Sequence, residues 1–401
     1  MRKTIVVIGA LDTKGEDLGF VKKAIERRGH TVLLINTSVM GKPAFEADIP
    51  SQQIAEAGGI SLTELQNKAD RGLAMDVMTR GIAKVVKNLY GQGTIDAVFA
   101  MGGSAGTAIG TSAMRALPIG VPKVMVSTMA SADTSSYVGI RDVVMFPSIV
   151  DVAGVNSISA RIYANAVGAV VGMVETPLPK IDEKPLLAAS MGGSTTPAVN
   201  RCRKTMEERG YEVLVFHAVG TGGQILESLV EEGRINGVLD ITTREWADEL
   251  VGGALSAGPT RLDAASKKGV PQVIVPGGLD QAAFWAAETL PEKFRGRLFY
   301  QWNPNVTLMR TNPEENTELG RILAEKANQS RGSVAFFLPL NGISMLDALG
   351  KEFWWPEADE ALFNAIKKYV RQGIPVYEME NNINDNEFAD AVANKLLEFL
   401  S

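Results

Sequence analysis

The 401-residue sequence has one cysteine, two histidines and only 6% aromatic residues. The lone Cys202 excludes an internal disulfide framework and any cysteine-based zinc site. Basic residues are scattered and the formal net charge is -6, so there is no electrostatic footprint for nucleic acid. The longest apolar runs, such as Ala166 to Val174, fall far short of the ~20 residues of a membrane span. Met1-Arg2-Lys3-Thr4 leads straight into a strand pattern, with no signal-peptide apolar core. There is no Ser-His-Asp order, nucleophile elbow, H-E-x-x-H or EF-hand loop, and no low-complexity tract. These absences predict a soluble, cytoplasmic protein without a membrane or nucleic-acid partner.

Glycine is plentiful, at 40 residues, and 45% of the chain is hydrophobic. That length and composition fit two α/β domains, each able to bury a core. A self-match supports this division. TIVVIGALDTKGEDLGFVKKAIERRGHTVLLINT (4–37) and PLLAASMGGSTTPAVNRCRKTMEERGYEVLVFHA (185–218) align without a gap. Both read as strand, polar loop, helix and strand, with Gly29 and Gly210 placed as helix C-caps. Ile95 to Val98 then matches Ile235 to Val238, and Val121 to Val126 matches Val270 to Val275. The pattern predicts two Rossmann-like subdomains with mostly parallel sheets, related by internal duplication. Their expected bounds are 1–180 and 181–401, with a proline-punctuated linker at Pro177 to Pro185. Strands are predicted at 4–9, 31–36, 95–101, 122–127 and 143–146, then at 186–191, 212–217, 236–241, 271–276 and 333–338. Residues 375–379 read as an edge strand, and Asp385 to Leu400 as an amphipathic helix.

Ligands of open α/β sheets bind at the carboxyl ends of strands, which directs attention to the loops there. The most informative is Gly102-Gly103-Ser104-Ala105-Gly106-Thr107, between a buried strand and a small-residue helix. Its backbone N–H groups would face an anion, phosphate or carboxylate, although no Walker Lys-Ser/Thr pair closes it. The alternative is that its glycines serve helix–strand packing alone. In Gly9-Ala10-Leu11-Asp12-Thr13-Lys14, Thr13 can donate to a phosphate and Lys14 adds charge, while Asp12 could hold Mg²⁺ or cap the helix. Thr37, in Asn36-Thr37-Ser38, follows the second strand. Ser127, Thr128, Ala130 and Ser131 form another hydroxyl-rich loop. Asp151, a carboxylate in an apolar stretch, is expected to be paired, metal-bound or capping a helix.

The second half offers a second polar mouth. It comprises Gly192-Gly193-Ser194, His217, Gly220-Thr221-Gly222-Gly223, Asp240 to Glu245, and Gly277 to Gln281. His30 falls in a helix-to-strand turn and reads as structural; His217 lies on the ligand side and is the better general acid or base. Asp240 and Glu245 are the accompanying candidates, with Asn303, Arg310 and Asp347 weaker ones.

These residues together resemble the Tm-one-like ATP-binding proteins, a family of bacterial proteins with a plant member. The resemblance runs from Gly9 to Glu16, through Gly102-Gly103-Ser104 and Leu117 to Lys123, to Ser127-Thr128 and Phe146-Pro147-Ser148. It continues through Val215-Phe216-His217-Ala218, Gly237 to Thr243, Leu308 to Thr311 and Leu346-Asp347, so it spans essentially the whole chain. It implies two Rossmann-like subdomains, ATP bound in the first, and a homodimer. It also implies that the TIM-barrel domain fused behind the plant member is missing here, since the sequence stops at Ser401. The chain departs from the pattern at Ala105, where the plant member has glycine, and at Trp302, where relatives tend to carry histidine.

The expected function is therefore ATP binding, with Mg²⁺ at Asp12 or Asp151, in an enzyme acting on a small molecule in the interdomain cleft. The alternatives are a non-catalytic nucleotide-gated interaction module and a small-carboxylate binding protein.

Overall fold

The computed structural model describes residues 2–178, 180 and 183–401. The chain divides into two compact units, Met1–Lys180 and Ile181–Ser401. Part of the proposed linker, at Pro179, Ile181 and Asp182, lies outside the described residues.

The N-terminal unit is built on β1 (Thr4–Gly9), β2 (Thr31–Asn36), β3 (Ala97–Gly102), β4 (Lys123–Ser127) and β5 (Val144–Pro147). They form one parallel sheet in the order β2-β1-β3-β4-β5. Successive side chains of a strand face opposite sides, so a sheet covered on both faces needs continuous apolar runs. β1 shows this directly. Ile5 and Val7 pack with Leu18, Val21 and Val170 under the helices Gly15–Arg27 and Ser157–Glu175. Val6 and Ile8 pack with Ile54, Met78 and Ile109 under Ser51–Gly58, Arg71–Gly91 and Ser104–Arg115.

The C-terminal unit contains β6 (Leu186–Met191), β7 (Glu212–His217), β8 (Gly237–Thr242), β9 (Gln272–Gly277), β10 (Gln281–Phe284), β11 (Phe299–Asn303), β12 (Val306–Arg310), β13 (Val334–Pro339) and β14 (Val376–Met379). Its main sheet runs β7-β6-β8-β9-β13-β14, all parallel. Counted within each unit, both sheets follow the doubly wound order 2-1-3-4-5, with one extra edge strand in the second. The duplication read from the sequence is thus present in the topology. Gly29 and Gly210 reinforce it, with φ of 89° and 88° at matching helix ends. The C-terminal helix, Asn386–Leu400, covers the second sheet through Phe388, Val392 and Leu396.

Every strand predicted from the sequence is present, displaced by no more than two residues. The reading omitted the antiparallel sheet β10-β12-β11, which is inserted between β9 and β13. Among the described residues one helix, Ser157–Glu175, has the length and mean hydropathy, 1.3, of a membrane span. Its inner stripe is nevertheless committed to the core, and the Tyr163 hydroxyl donates to Asp17 at 2.8 Å.

Candidate functional site

The order β2-β1-β3 creates a switch point, because the connections from β1 and β3 leave the sheet on opposite faces. At this edge lies a cavity of about 480 Å³. The loop after β1 contributes Asp12 and Thr13, the loop after β2 contributes Thr37 to Met40, and the helix after β3 contributes Ala105 and Gly106. Leu65, Asp70, Arg71, Met75, Met78 and Ile109 complete a largely apolar wall.

The helix that starts here, at Ser104, has no side-chain cap on its first N–H groups; the helix at Gly15 is also uncapped, but its first residues line a separate pocket with Ala44 and Phe45. The nearby helices Leu62–Lys68 and Arg71–Gly91 are capped, by Ser61 and Asp70. Unpaired N–H groups and the helix dipole favour an anion at such a start.

The glycines of the Gly102 loop serve two purposes. A Cβ on Gly102 would stand 2.9 Å from the Gly106 Cα, so this pair exists for close packing. At Gly103 a Cβ would meet nothing nearer than the Thr128 hydroxyl at 3.8 Å, so packing does not explain that glycine. Gly9 is a packing glycine as well, since a Cβ would meet Leu18 at 2.7 Å.

The hydroxyls divide differently from the sequence reading. Thr107 is fully buried; its Oγ1 donates to Gly103 O at 2.8 Å and pairs with Ser127 Oγ at 2.6 Å. Ser127 Oγ also accepts Met129 N–H at 2.9 Å. These two hydroxyls tie the loops after β3 and β4 together and are not presented to a ligand. Ser104, Thr128 and Ser131 are exposed and Ala130 is half-buried, and none of the four is in the cavity wall. Lys14 is the residue before the helix Gly15–Arg27 and is not part of the cavity wall.

Asp12 does not cap the helix. Its Oδ1 accepts Ser38 Oγ at 2.9 Å and its Oδ2 accepts Gly41 N–H at 3.1 Å, which holds the loop after β2 over the cavity. Asn36, at the head of the Asn36-Thr37-Ser38 loop, supports the same corner: its Oδ1 accepts Leu11 N–H and Ser38 N–H and shares the Ser38 hydroxyl proton with Asp12. Asp151 is a correction. The expected apolar setting is absent; the residue is exposed, its carboxylate accepts Val152 N–H at 2.8 Å, and it is not in the cavity wall. Among the described residues no cluster of three or more His, Cys, Asp or Glu could hold a metal.

The second polar mouth separates into two parts. Asp240 and Glu245 are fully buried around Arg261. Arg261 Nε donates to Glu245 Oε2 at 2.8 Å, Nη1 to Glu227 Oε1 at 3.0 Å, and Nη2 to Asp240 Oδ1. Burial opposes the Arg261 charge, but the three carboxylates outweigh it and hold its pKa above the ordinary range. Glu245 Oε1 meanwhile accepts Gly220 N–H and Gly223 N–H at 2.8 and 3.1 Å. The protein's own carboxylate therefore fills the anion position at the start of the helix Thr221–Glu231. Asp240 and Glu245 are structural in this geometry, not open to a substrate.

His217 is exposed and lines a smaller cavity, about 170 Å³, with Ser194, Arg244, Gln281 and Trp302. Partial burial of the imidazole, with help from the Arg244 charge, lowers its pKa. His30 is structural as read: it is buried, with Nδ1 accepting Lys3 N–H and Nε2 bonded to Glu175. Arg310 and Asp347 are buried with Asp280 and Asp359 in a separate ion cluster. Cys202 is also buried, and burial pushes its thiol up to about 12.

Two family models cover the chain. Residues 3–179 match the "Uncharacterised protein family (UPF0261) N-terminal domain" and residues 184–400 match the corresponding C-terminal domain. The chain belongs to the UPF0261 family. A UPF0261 protein from Clostridium tetani is 48% identical over the full length of both chains. Another from Mesorhizobium japonicum is 41% identical over 98% of each. The ToMV resistance protein Tm-1(GCR237) from Solanum lycopersicum is 37% identical over 98% of this chain, which corresponds to 55% of the tomato protein. The resemblance drawn from the motifs is thereby confirmed at the level of family. Among solved structures, a UDP-N-acetylglucosamine 2-epimerase from Rickettsia bellii aligns at 12% identity over 100% of this chain and 96% of its own, with a TM-score of 0.22, too slight a likeness to build on.

Proposed function

We propose that the N-terminal unit binds ATP in the cavity beside β1 and β3, and that the protein is an ATP-dependent enzyme acting on a small molecule. The observation that carries this reading is the division of that one cavity. Met40, Leu65, Met75, Met78 and Ile109 offer an apolar wall for a base. Thr13, Thr37 and Ser38, with the uncapped helix start at Ser104, offer a polar end for phosphates. Phosphoryl chemistry depends on positioning and electrostatics more than on a protein nucleophile.

Mg²⁺ is usually held by one or two carboxylates together with substrate phosphates. Asp12, on the cavity wall, is the residue placed to share it. A small carboxylate alone would leave most of a cavity this large and apolar empty, which favours the nucleotide.

The same reading takes the chain to be a cytoplasmic homodimer. Ile158 and Met173, exposed on the helix Ser157–Glu175, support an apolar contact there.

Calorimetric titration with ATP-Mg²⁺ tests the binding. A saturable heat with a rise in thermal stability is expected; no heat and no thermal shift would remove the nucleotide reading. ADP or phosphate accumulation with a metabolite panel then separates an enzyme from a nucleotide-gated module.

A further inference from the structure

We propose that the C-terminal unit holds a second, independent site for a small organic oxyanion, a carboxylate or phosphate, anchored by Arg244. The site stands whether or not the N-terminal unit binds ATP.

Arg244 is 7% exposed and lines the 170 Å³ cavity beside β7 and β10. Its Nε and Nη2 are sealed from solvent without a hydrogen-bond partner. The neighbouring carboxylate is Asp248, whose Oδ2 stands 3.7 Å from Nη2, beyond hydrogen-bond range. Asp248 is anchored elsewhere: its Oδ1 accepts Ala283 N–H at 2.8 Å and Leu255 N–H at 3.4 Å, and its Oδ2, ion-paired with Arg244, makes no hydrogen bond. Among the described residues the ion pair with Asp248 is the only partner these two nitrogens have, and a buried guanidinium that makes no hydrogen bond through them is costly, so a fold that retains one has a reason to keep it.

Other arginines in this unit show what is missing. Arg201 uses the same Nε and Nη2 fork to grip both oxygens of Asp390, at 2.8 and 2.7 Å. Buried Arg261 is saturated by three carboxylates, and buried Arg310 by Asp359 and main-chain oxygens. Arg244 alone of these leaves Nε and Nη2 without a hydrogen bond, and a fork of that shape matches a carboxylate or phosphate edge once the side chain turns into the cavity.

The remaining walls suit a short organic group. The Trp302 indole lies so close to Gly193 that a Cβ there would stand 3.0 Å from it, and Leu308 adds apolar surface. Ser194 and Gln281 are locked to each other by a 2.8 Å hydrogen bond, so the polar wall is ordered in advance. His217 adds a ring nitrogen to the same wall. The cavity is well below the ~300–1,000 Å³ of sites for drug-sized molecules, which limits the ligand to a small metabolite.

Trp302 fluorescence provides the readout, with Trp302→Phe assigning the signal among the five tryptophans. The intact protein is titrated with lactate and, separately, inorganic phosphate, with sodium chloride at matched ionic strength as control. A saturable change with at least one probe, absent with chloride, is expected. Arg244→Lys keeps the charge but loses the fork and should weaken that binding roughly ten- to a hundredfold. A response to lactate alone assigns a carboxylate site, and to phosphate alone a phosphate site. In unmodified protein, the bound probe should also raise the Tm, a readout that does not depend on a variant folding. No saturable response to either probe, or wild-type affinity in R244K, would overturn the proposal.

Discussion

Arg261 and Glu245 meet at 2.8 Å in the fully buried interior of the C-terminal unit, and the same carboxylate caps the helix start at Gly220. This pairing turns two apparent catalytic acids, Asp240 and Glu245, into counter-ions. Removing the guanidinium leaves uncompensated buried charge, which costs ~3–5 kcal/mol when one partner of such a pair is lost. Arg261→Leu should therefore lower unfolding stability by about that much in urea titration. Unchanged stability would mean that the network is not structural.

Thr107 provides a test of the same kind in the N-terminal unit. Thr107→Val strips Gly103 O and the Ser127 hydroxyl of their shared partner, at a cost of ~1–3 kcal/mol. The expected outcome is a lower Tm with ATP affinity held within about twofold. A large loss of affinity at unchanged stability would return Thr107 to the phosphate site.

Arg71 is exposed on the cavity rim. Arg71→Glu inverts a charge on the rim of that cavity and should weaken binding of the anionic ATP about tenfold at low salt. The difference should shrink as ionic strength rises, because salt screens exposed charges. Calorimetry at two salt concentrations measures both effects.

The Arg310 cluster predicts a pH dependence. Burial pushes Asp347 up to about 7, with the Asp359 charge adding to it, and burial pushes Asp280 and Asp359 up to about 6. Unfolded, these groups ionise near pH ~3.9. The fold thus favours their protonated forms: the stability they contribute is complete below pH ~4 and is lost as pH rises through about 6 to 7. His217, with its lowered pKa, acts in the opposite direction in the upper part of that window. The two are separated by Asp347→Asn, which fixes one group as neutral. That variant should gain on the wild type between pH 5 and pH 8, by roughly 2–4 °C in Tm. A constant difference across the range would contradict the assignment.

The main sheets were legible because parallel strands buried on both faces read as apolar runs, and the matched βα halves fixed their sequence order. The β10-β12-β11 sheet was not. Gln281–Phe284 is four residues long and wholly buried, so no alternation marks it. Asn303-Pro304-Asn305, between Phe299–Asn303 and Val306–Arg310, was the available hairpin signal. The charged loops were misjudged for a different reason. A carboxylate at a strand's end looks the same in sequence whether it faces water or a buried arginine. Asp240 and Glu245 became readable only once Arg261 was seen between them, and Arg244 only once its partners were found wanting.

Photolabelling with 8-azido-ATP, followed by peptide mapping, tests the ATP site most directly. The account predicts saturable labelling, suppressed by ATP, on peptides carrying Met40 or Asp70 to Met78 at the apolar wall of the N-terminal cavity. No saturable label, or label confined to the C-terminal unit, would contradict it.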